Sequence, residues 1–435
     1  MANLRAPNED SDTPEGASPS ALYRLMATPW VGRSVVLAAV VVLVLFGVLG
    51  VFRATSAFRL RPDTRVLYVA GRMWLNGHNP YRASEFLPTS DAIFGLDDHD
   101  FMASGFGYLP TAWPLCGLLA LWEPTPAFFF TMALNLLAVG AVALYAFRLA
   151  SARLPDGPLR ESLCYFVFAL VIGSPFTTHI VFQGQSTMVA TAALVAGWYY
   201  TFVRPRPNVA GILFAISTMK LQLALFAIGG LVVTRRWRVL LTAAVAGLVL
   251  VAYPVVVAGG PVALVRDWLA EVHVYSLIPS NAVGYPNVFG LQSLLVAAGV
   301  PAPSLGLLAI PLLAAVWWFL DRIEPDELLA ILVASSCLLV YAHDYDLAAL
   351  APIHGCLWKR AGRNRVSLLG LIGFYVAVFA PQREFRGQVS PVLLHWRELA
   401  VLAAVTWLFV AAIRRGPRKA GGAGSLGDGD RVVQA

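Results

Sequence analysis

Asp63 heads the first of several residue groups in this chain whose types and spacing can do chemistry. It lies past the end of an apolar run at 34–52, with ten residues between, in the stretch Asp63-Thr-Arg-Val-Leu-Tyr-Val-Ala-Gly-Arg-Met-Trp-Leu-Asn-Gly-His-Asn-Pro-Tyr81. A carboxylate so placed can act as a general base. Val66, Tyr68 or Val69, Met73 and Trp74 recur at helical spacing, which predicts a short amphipathic helix lying on a membrane surface and beginning at or just after Asp63. A helix cap is therefore the plainer role for the same side chain.

Lys220 stands in Ala215-Ile-Ser-Thr-Met-Lys-Leu-Gln-Leu-Ala224, an otherwise apolar segment. A lysine there costs about 2.5 to 3.5 kcal/mol on insertion scales, so it needs an anionic partner, a cavity or room to snorkel. The phosphate of a lipid substrate is one such partner. Tyr341-Ala-His-Asp-Tyr-Asp-Leu347 gathers His343, Asp344, Tyr345 and Asp346 at the junction of two apolar runs. Its carboxylates suit sugar or phosphate recognition, a solvated turn, or a divalent metal. Gln183-Gly-Gln185 is a polar break where glycine lets the backbone turn and the amides stay free to bond a ligand. The 260–288 loop carries Asp267, Trp268, His273, Tyr275, Asn281, Tyr285 and Asn287. Such aromatics and amides stack on sugars, or form an interfacial aromatic belt.

The elements that must position these groups are membrane elements. Of 435 residues 58% are hydrophobic and 13% charged, with a mean hydropathy of +0.67, far too apolar for a soluble chain of this size. The net charge of +7 comes from short Lys and Arg clusters between apolar runs, the pattern of a topology determinant, and implies no nucleic-acid partner. Cys116, Cys164, Cys337 and Cys356 lie singly in apolar segments without pairing or metal spacing, so they read as buried filler. No cofactor is expected, and a metal enters only as one of the alternatives for Asp344 and Asp346.

A spanning helix needs about 20 residues. Apolar runs at 34–52, 126–147, 163–181, 186–203, 208–219, 221–234, 239–258, 305–320, 328–341, 344–358, 366–381 and 396–413 suggest twelve crossings, some short. Two more, 106–122 and 288–300, are expected to lie in the interface or enter it part-way. With the N-terminus cytoplasmic, this scheme puts Arg148/Arg153/Arg160, Arg204/Arg206, Arg235/Arg236/Arg238, Lys359/Arg360/Arg363/Arg365 and Arg414/Arg415/Arg418/Lys419 all inside. The weakest part of the scheme is 208–234, which must cross twice to keep that parity. The long loop from Arg53 to about Gly107, Gln183–Gln185, Lys220, 260–288 and His343–Asp346 then share the opposite face. We read 1–33 as a disordered cytoplasmic tail, 34–413 as one all-α membrane domain with 53–107 as its first external loop, and 414–435 as a basic, Gly-rich cytoplasmic tail. No internal repeat marks the inverted halves of a transporter.

In order, Asp63-x-x-Val-x-Tyr-x-Ala70, Gly77-x-x-Pro-Tyr81, Phe106-x-Tyr-x-Pro110, Gly184-Gln185, the helix ending in Lys220 and Tyr345-Asp-Leu347 resemble motifs of the polyprenol-phosphate-mannose-dependent α-mannosyltransferases of glycosyltransferase family 87, in the GT-C superfamily. The resemblance runs from about 34 to 413. This chain has Tyr-Leu-Pro where the family more often shows Tyr-Pro-Pro, and Leu-Gln after Lys220 in place of an immediate proline.

The resemblance implies a GT-C fold in a bacterial inner membrane with a periplasmic site. It implies inverting transfer of a sugar, mannose above all, from polyprenyl phosphate to a lipid or glycan hydroxyl. Asp63 would be the base, with Lys220, His343, Asp344, Tyr345, Asp346, Gln185, Tyr81, Tyr108, Asn281 and Asn287 around the substrates. The lack of a nucleotide-binding glycine-rich loop agrees with a lipid-borne donor. Membrane lipids are the other expected partners. Two further classes remain open: a transporter or flippase of a lipid-linked sugar or other anion, with Asp63, Lys220 and Asp346 as pathway charges, and a structural membrane subunit.

Overall fold

The computed structural model describes residues 21–56, 62–95, 105–361 and 365–416. It is almost wholly helical. The N-terminal part runs α1 (Ala21–Ala27), α2 (Pro29–Ser56), α3 (Pro62–Leu75), α4 (Ala83–Phe94) and α5 (Trp113–Ala120). The centre runs α6 (Pro124–Ala150), α7 (Pro158–Gly173), α8 (Pro175–Gln183), α9 (Thr187–Phe202), α10 (Pro207–Ser217), α11 (Leu221–Val233), α12 (Trp237–Val257) and α13 (Pro261–Leu277). The last part holds α14 (Leu291–Ala297), α15 (Ala309–Trp318), α16 (Pro325–Leu339), α17 (Ala351–Ala361), α18 (Arg365–Phe379) and α19 (Trp396–Ile413). Proline opens many of these helices, where its missing N–H is no loss. One short antiparallel pair, β1 (Val288–Phe289) with β2 (Ala342–His343), sets Val288 opposite His343.

By length and composition five helical stretches can cross a membrane: Pro29–Leu49, Pro124–Ala150, Pro207–Val233, Trp237–Val257 and Pro391–Ile413. The pair Pro158–Gly173 and Pro175–Gln183, bent by 43°, makes a sixth if taken as one span. Most of the other expected crossings are shorter helices: α9 has 16 residues, α15 has 10 and α17 has 11.

Pro207–Val233 does not run straight. Phe214 and Gly230 meet the same indole: the Phe214 ring lies 6.3 Å from that of Trp198, and a Cβ on Gly230 would lie 3.1 Å from it. The Arg236 guanidinium sits 4.8 Å over Phe202, which precedes α10. A straight helix of this length would separate its ends by about 40 Å. The chain therefore turns back at the tight turn Thr218–Lys220, where Lys220 leaves helical geometry with φ −120° and ψ 75°. α10 and α11 are the two limbs of a hairpin, with Lys220 at its apex.

Three other expectations change. Residues 21–33, assigned to a disordered tail, are helical; 1–20 and 417–435 lie outside the described residues. The helix at Asp63 forms, but α3 does not lie on a surface: Leu67, Tyr68, Val69, Ala70, Met73 and Trp74 are all buried. Both of its flanks carry apolar side chains, and α5 packs so close that a Cβ on Gly71 would collide with the Cys116 carbonyl. The segments 106–122 and 288–300 hold the short helices α5, which directly follows a 3₁₀ turn at Pro110–Ala112, and α14, and neither is among the helices long enough to cross a membrane. The 260–288 loop is largely α13.

The core has two parts, one uniting α6–α11 with α16–α19 and one beneath α3 and α5. In the second, Trp74 meets Phe106, Trp113 and Tyr81 edge-on at 5.1, 5.9 and 6.1 Å. Such edge-to-face pairs fix ring orientation as well as burying area. They lock α3, and with it Asp63, onto the aromatic segment that follows residue 105.

Candidate active site

Asp63 occupies the first turn of α3. Next to it, Thr64 donates its hydroxyl to the Gly184 carbonyl at 3.1 Å. Gly184 ends α8 in the left-handed region at φ 67°, and a Cβ there would run into Thr64 Oγ1. Glycine is required twice over, by conformation and by contact. The turn it makes carries Gln185 to Asp63, to which the Gln185 amide donates. Gln185 Oε1 in turn accepts the Tyr108 hydroxyl at 2.8 Å.

Tyr108 is held from behind, because the Tyr81 hydroxyl donates to its carbonyl at 2.8 Å and Phe106 stacks on its ring at 5.5 Å. Asn79 Oδ1 accepts the Tyr81 amide N–H at 3.2 Å, and its amide donates to Asp267 of α13 at 3.0 Å. The Gly77–Tyr81 motif is therefore a bracket joining α3, the 106–110 segment and α13.

Lys220 is buried between two rings, its ammonium 5.1 Å from the centre of Tyr108 and 4.9 Å from that of Tyr345. Both contacts are in the range where a ring face attracts a cation. Its carboxylate partner is Asp346, 3.4 Å away and fully buried. Across from these, His343 Nε2 is within hydrogen-bond distance of the Tyr275 hydroxyl at 3.0 Å and the Tyr341 hydroxyl at 3.1 Å. The Tyr341 hydroxyl donates to the Asn281 carbonyl at 3.0 Å. The β1–β2 pairing and the Asp344 N–H, which donates to the Asn287 carbonyl at 3.0 Å, fix the backbone there.

These groups border one cavity of about 560 Å³. Asp63, Tyr108, Gln185, Lys220, Asn281, His343 and Tyr345 line it, whereas Tyr81, Asn287, Asp344 and Asp346 do not. Apolar side chains such as Met219, Leu221, Leu225 and Ile278 make up much of the rest. Lys220 is the only lysine or arginine among the described residues on its wall. Burial pushes the Asp63 carboxyl up to about 6, against the pull of the Lys220 cation and the Gln185 bond, with the Asp346 charge adding to the rise. Among the described residues no three His, Cys, Asp or Glu side chains gather in a metal-binding group.

Trp268 and Tyr275, two of the sugar-stacking candidates of 260–288, also line the cavity, as do Gln222 and Tyr341, which the sequence did not single out. Trp268, Val272 and Tyr275 recur at helical spacing on α13, a signal lost when the segment is read as a loop. The other faces of α13 invert the usual order. Asp267 and Glu271 are buried, whereas Val262 is 81% and Leu277 67% exposed.

At the far end of the bundle lie the basic clusters. Lys359 pairs with Asp326 at 2.7 Å and with Glu324 at 3.3 Å, Arg360 and Arg415 pair with Glu327, and Arg153 reaches Glu324 at 4.0 Å. Glu324, Asp326 and Glu327, at the start of α16, neutralise those cations.

The family model for glycosyltransferase family 87 matches residues 106–342, more than half of the chain. This chain belongs to glycosyltransferase family 87. A comparison with curated proteins finds no match. The matched stretch of this family 87 glycosyltransferase supplies Tyr108, Gln185, Lys220, the α13 face and Tyr341 to the cavity. The fold adds Asp63 from before that stretch, and His343 and Tyr345 from just after it. As a glycosyltransferase it acts on a sugar donor and an acceptor, and its apolar helices are those of a membrane protein.

Proposed function

We propose that this glycosyltransferase moves a sugar, mannose by the resemblance of its motifs, from polyprenyl phosphate to a hydroxyl of a lipid or glycan acceptor, with inversion at the anomeric carbon. The observation that carries the reading is the joint presence of Asp63 and Lys220 on the wall of one largely apolar cavity. Asp63 takes the acceptor proton as that oxygen forms its bond to the anomeric carbon. The bond from that carbon to the phosphate oxygen breaks, and polyprenyl phosphate departs with the electron pair. Lys220 neutralises the charge that develops on it.

A phosphate leaving group needs no proton, so one carboxylate suffices where a glycosidase needs two. A carboxyl raised to about 6 is a stronger base than an ordinary aspartate and is still ionised at neutral pH. Gln185, Tyr345 and the Tyr275–His343–Tyr341 group are placed to meet sugar hydroxyls, while Leu221, Leu225 and Ile278 suit a prenyl chain.

The wider reading is a GT-C fold in a bacterial inner membrane, with twelve crossings when α10 and α11 count separately, cytoplasmic termini and the cavity facing the periplasm. Its support is the separation of the cavity from the end where the Lys359, Arg360, Arg415 and Arg153 ion pairs gather. A transporter needs polar groups near the bilayer midplane that open to both sides in turn. The gathering at one end favours transfer chemistry.

The test is transfer from polyprenyl-phosphate mannose by membranes carrying the wild type or Asp63→Asn, with the product's anomeric configuration read by NMR. Wild-type turnover by Asp63→Asn, or retained configuration, overturns the proposal.

A further inference from the structure

We propose that Asp346 is a positioning residue, which claims the Lys220 ammonium so that Lys220 stays aimed at the cavity and does not close an ion pair with Asp63. Asp346 is fully buried and takes no part in the cavity wall. Its two oxygens receive four donors, three of them from segments distant in sequence. Oδ1 accepts from Thr187 Oγ1 at 3.2 Å and from Lys220 Nζ at 3.4 Å. Oδ2 accepts from Gln222 Nε2 at 3.3 Å and from the His343 amide N–H at 3.0 Å. A carboxylate has about four lone-pair sites, so none is left for a sugar hydroxyl or a metal ion.

The donors show what the carboxylate holds together. Lys220 stands at the apex of the α10–α11 hairpin and Gln222 in the first turn of α11, Thr187 opens α9, and His343 ends β2. Asp346 pins that apex beneath the cavity, and the Tyr108 and Tyr345 rings close off two more sides of the ammonium. Asp63 is the carboxylate that shares the cavity wall with Lys220, and the Lys220 charge acts on it. A direct bond between them would quench the base that the proposed function requires.

The inference rests on that reading for one arm of its test and is independent of it for the other. In the independent arm, thermal unfolding is compared among Lys220→Met, Asp346→Asn and the double variant. Each single change leaves a buried group without its partner, whereas the double removes both charges. The expected result is a lower Tm for each single variant and a higher Tm for the double than for either. Additive losses overturn the positioning role. Should Asp346→Asn fail to fold, folding of the double variant still supports it, and failure of both overturns it.

In the dependent arm, the pH profile of kcat/KM is measured for Asp346→Asn. Removing the charge that helps hold the Asp63 carboxyl up is expected to move the acid limb to lower pH, with kcat down tenfold or more. A purely structural role would lower activity without moving the limb. An unmoved limb overturns the positioning role, whereas wild-type turnover by Asp63→Asn overturns the base assignment, so the two failures are distinguishable.

Discussion

The hydroxyl of Tyr108 donates to Gln185 at 2.8 Å, and the amide of that glutamine donates to Asp63. This two-step chain ties the aromatic segment after residue 105 to the break between α8 and α9, and it orients the carboxylate of the proposed base. Much of the chemistry expected here depends on that carboxylate keeping both its direction and its charge.

Activity should follow the ionisation of Asp63. With the carboxyl at about 6, kcat/KM should rise about tenfold per pH unit below that value and level off above it, since only the carboxylate accepts a proton. An activity plateau reaching down to pH 4 would remove the assignment.

Stability should run the other way. A carboxyl raised in the folded state from the usual 3.8 contributes stability below 3.8 and loses it as pH rises through about 6. The charge at pH 8 then costs up to roughly 3 kcal/mol, since one pKa unit is about 1.4 kcal/mol. Asp63→Asn should therefore lose turnover by about 10²- to 10⁴-fold while its Tm at pH 8 equals or exceeds that of the wild type. A clear drop in Tm would make Asp63 a structural residue.

Lys220→Gln should fail on both counts. It deprives a fully buried carboxylate of its cation, which costs about 3 to 5 kcal/mol. It also removes the charge offered to the leaving phosphate, lowering kcat by about 10²- to 10³-fold. Unfolding in detergent and single-turnover transfer would read the two effects separately.

Gly184→Ala should destabilise the protein by more than the about 1 to 2 kcal/mol of left-handed strain, because its Cβ also meets Thr64. The displaced Gln185 would release Asp63. We expect a lower Tm together with a kcat loss that adding donor does not restore.

Tyr275→Phe removes one partner of His343 Nε2 without changing the ring that lines the cavity. If that hydroxyl reads the sugar, KM for the donor should rise by up to about tenfold, the value of one hydrogen bond. The Tm should be little changed, and steady-state kinetics at saturating acceptor would decide.

Lys220 was legible in the sequence because a charge inside an apolar run has few reasons to be there, and the hairpin it caps is present. The first-loop helix was legible from its spacing, but not its burial, since the α5 segment that covers it lies about forty residues on and carries no signal of pairing. α13 escaped notice because it turns Asp267 and Glu271 inward and Val262 and Leu277 outward, the reverse of the pattern by which a helix on a water-soluble core is recognised. Asp346 looked like a ligand for sugar or metal, since nothing local shows that Thr187, Lys220 and Gln222 would consume its oxygens.

The outward apolar side of α13 bears on how this enzyme must be handled. The same helix that supplies Trp268 and Tyr275 to the cavity presents Val262, Val265 and Leu269 to its surroundings, so one wall of the reaction chamber is propped by whatever solvates it. Acyl chains of the right thickness would buttress that wall, and a small, fast-exchanging surfactant would let it sag. Turnover should consequently depend on the choice of nanodisc or micelle more steeply than global unfolding does.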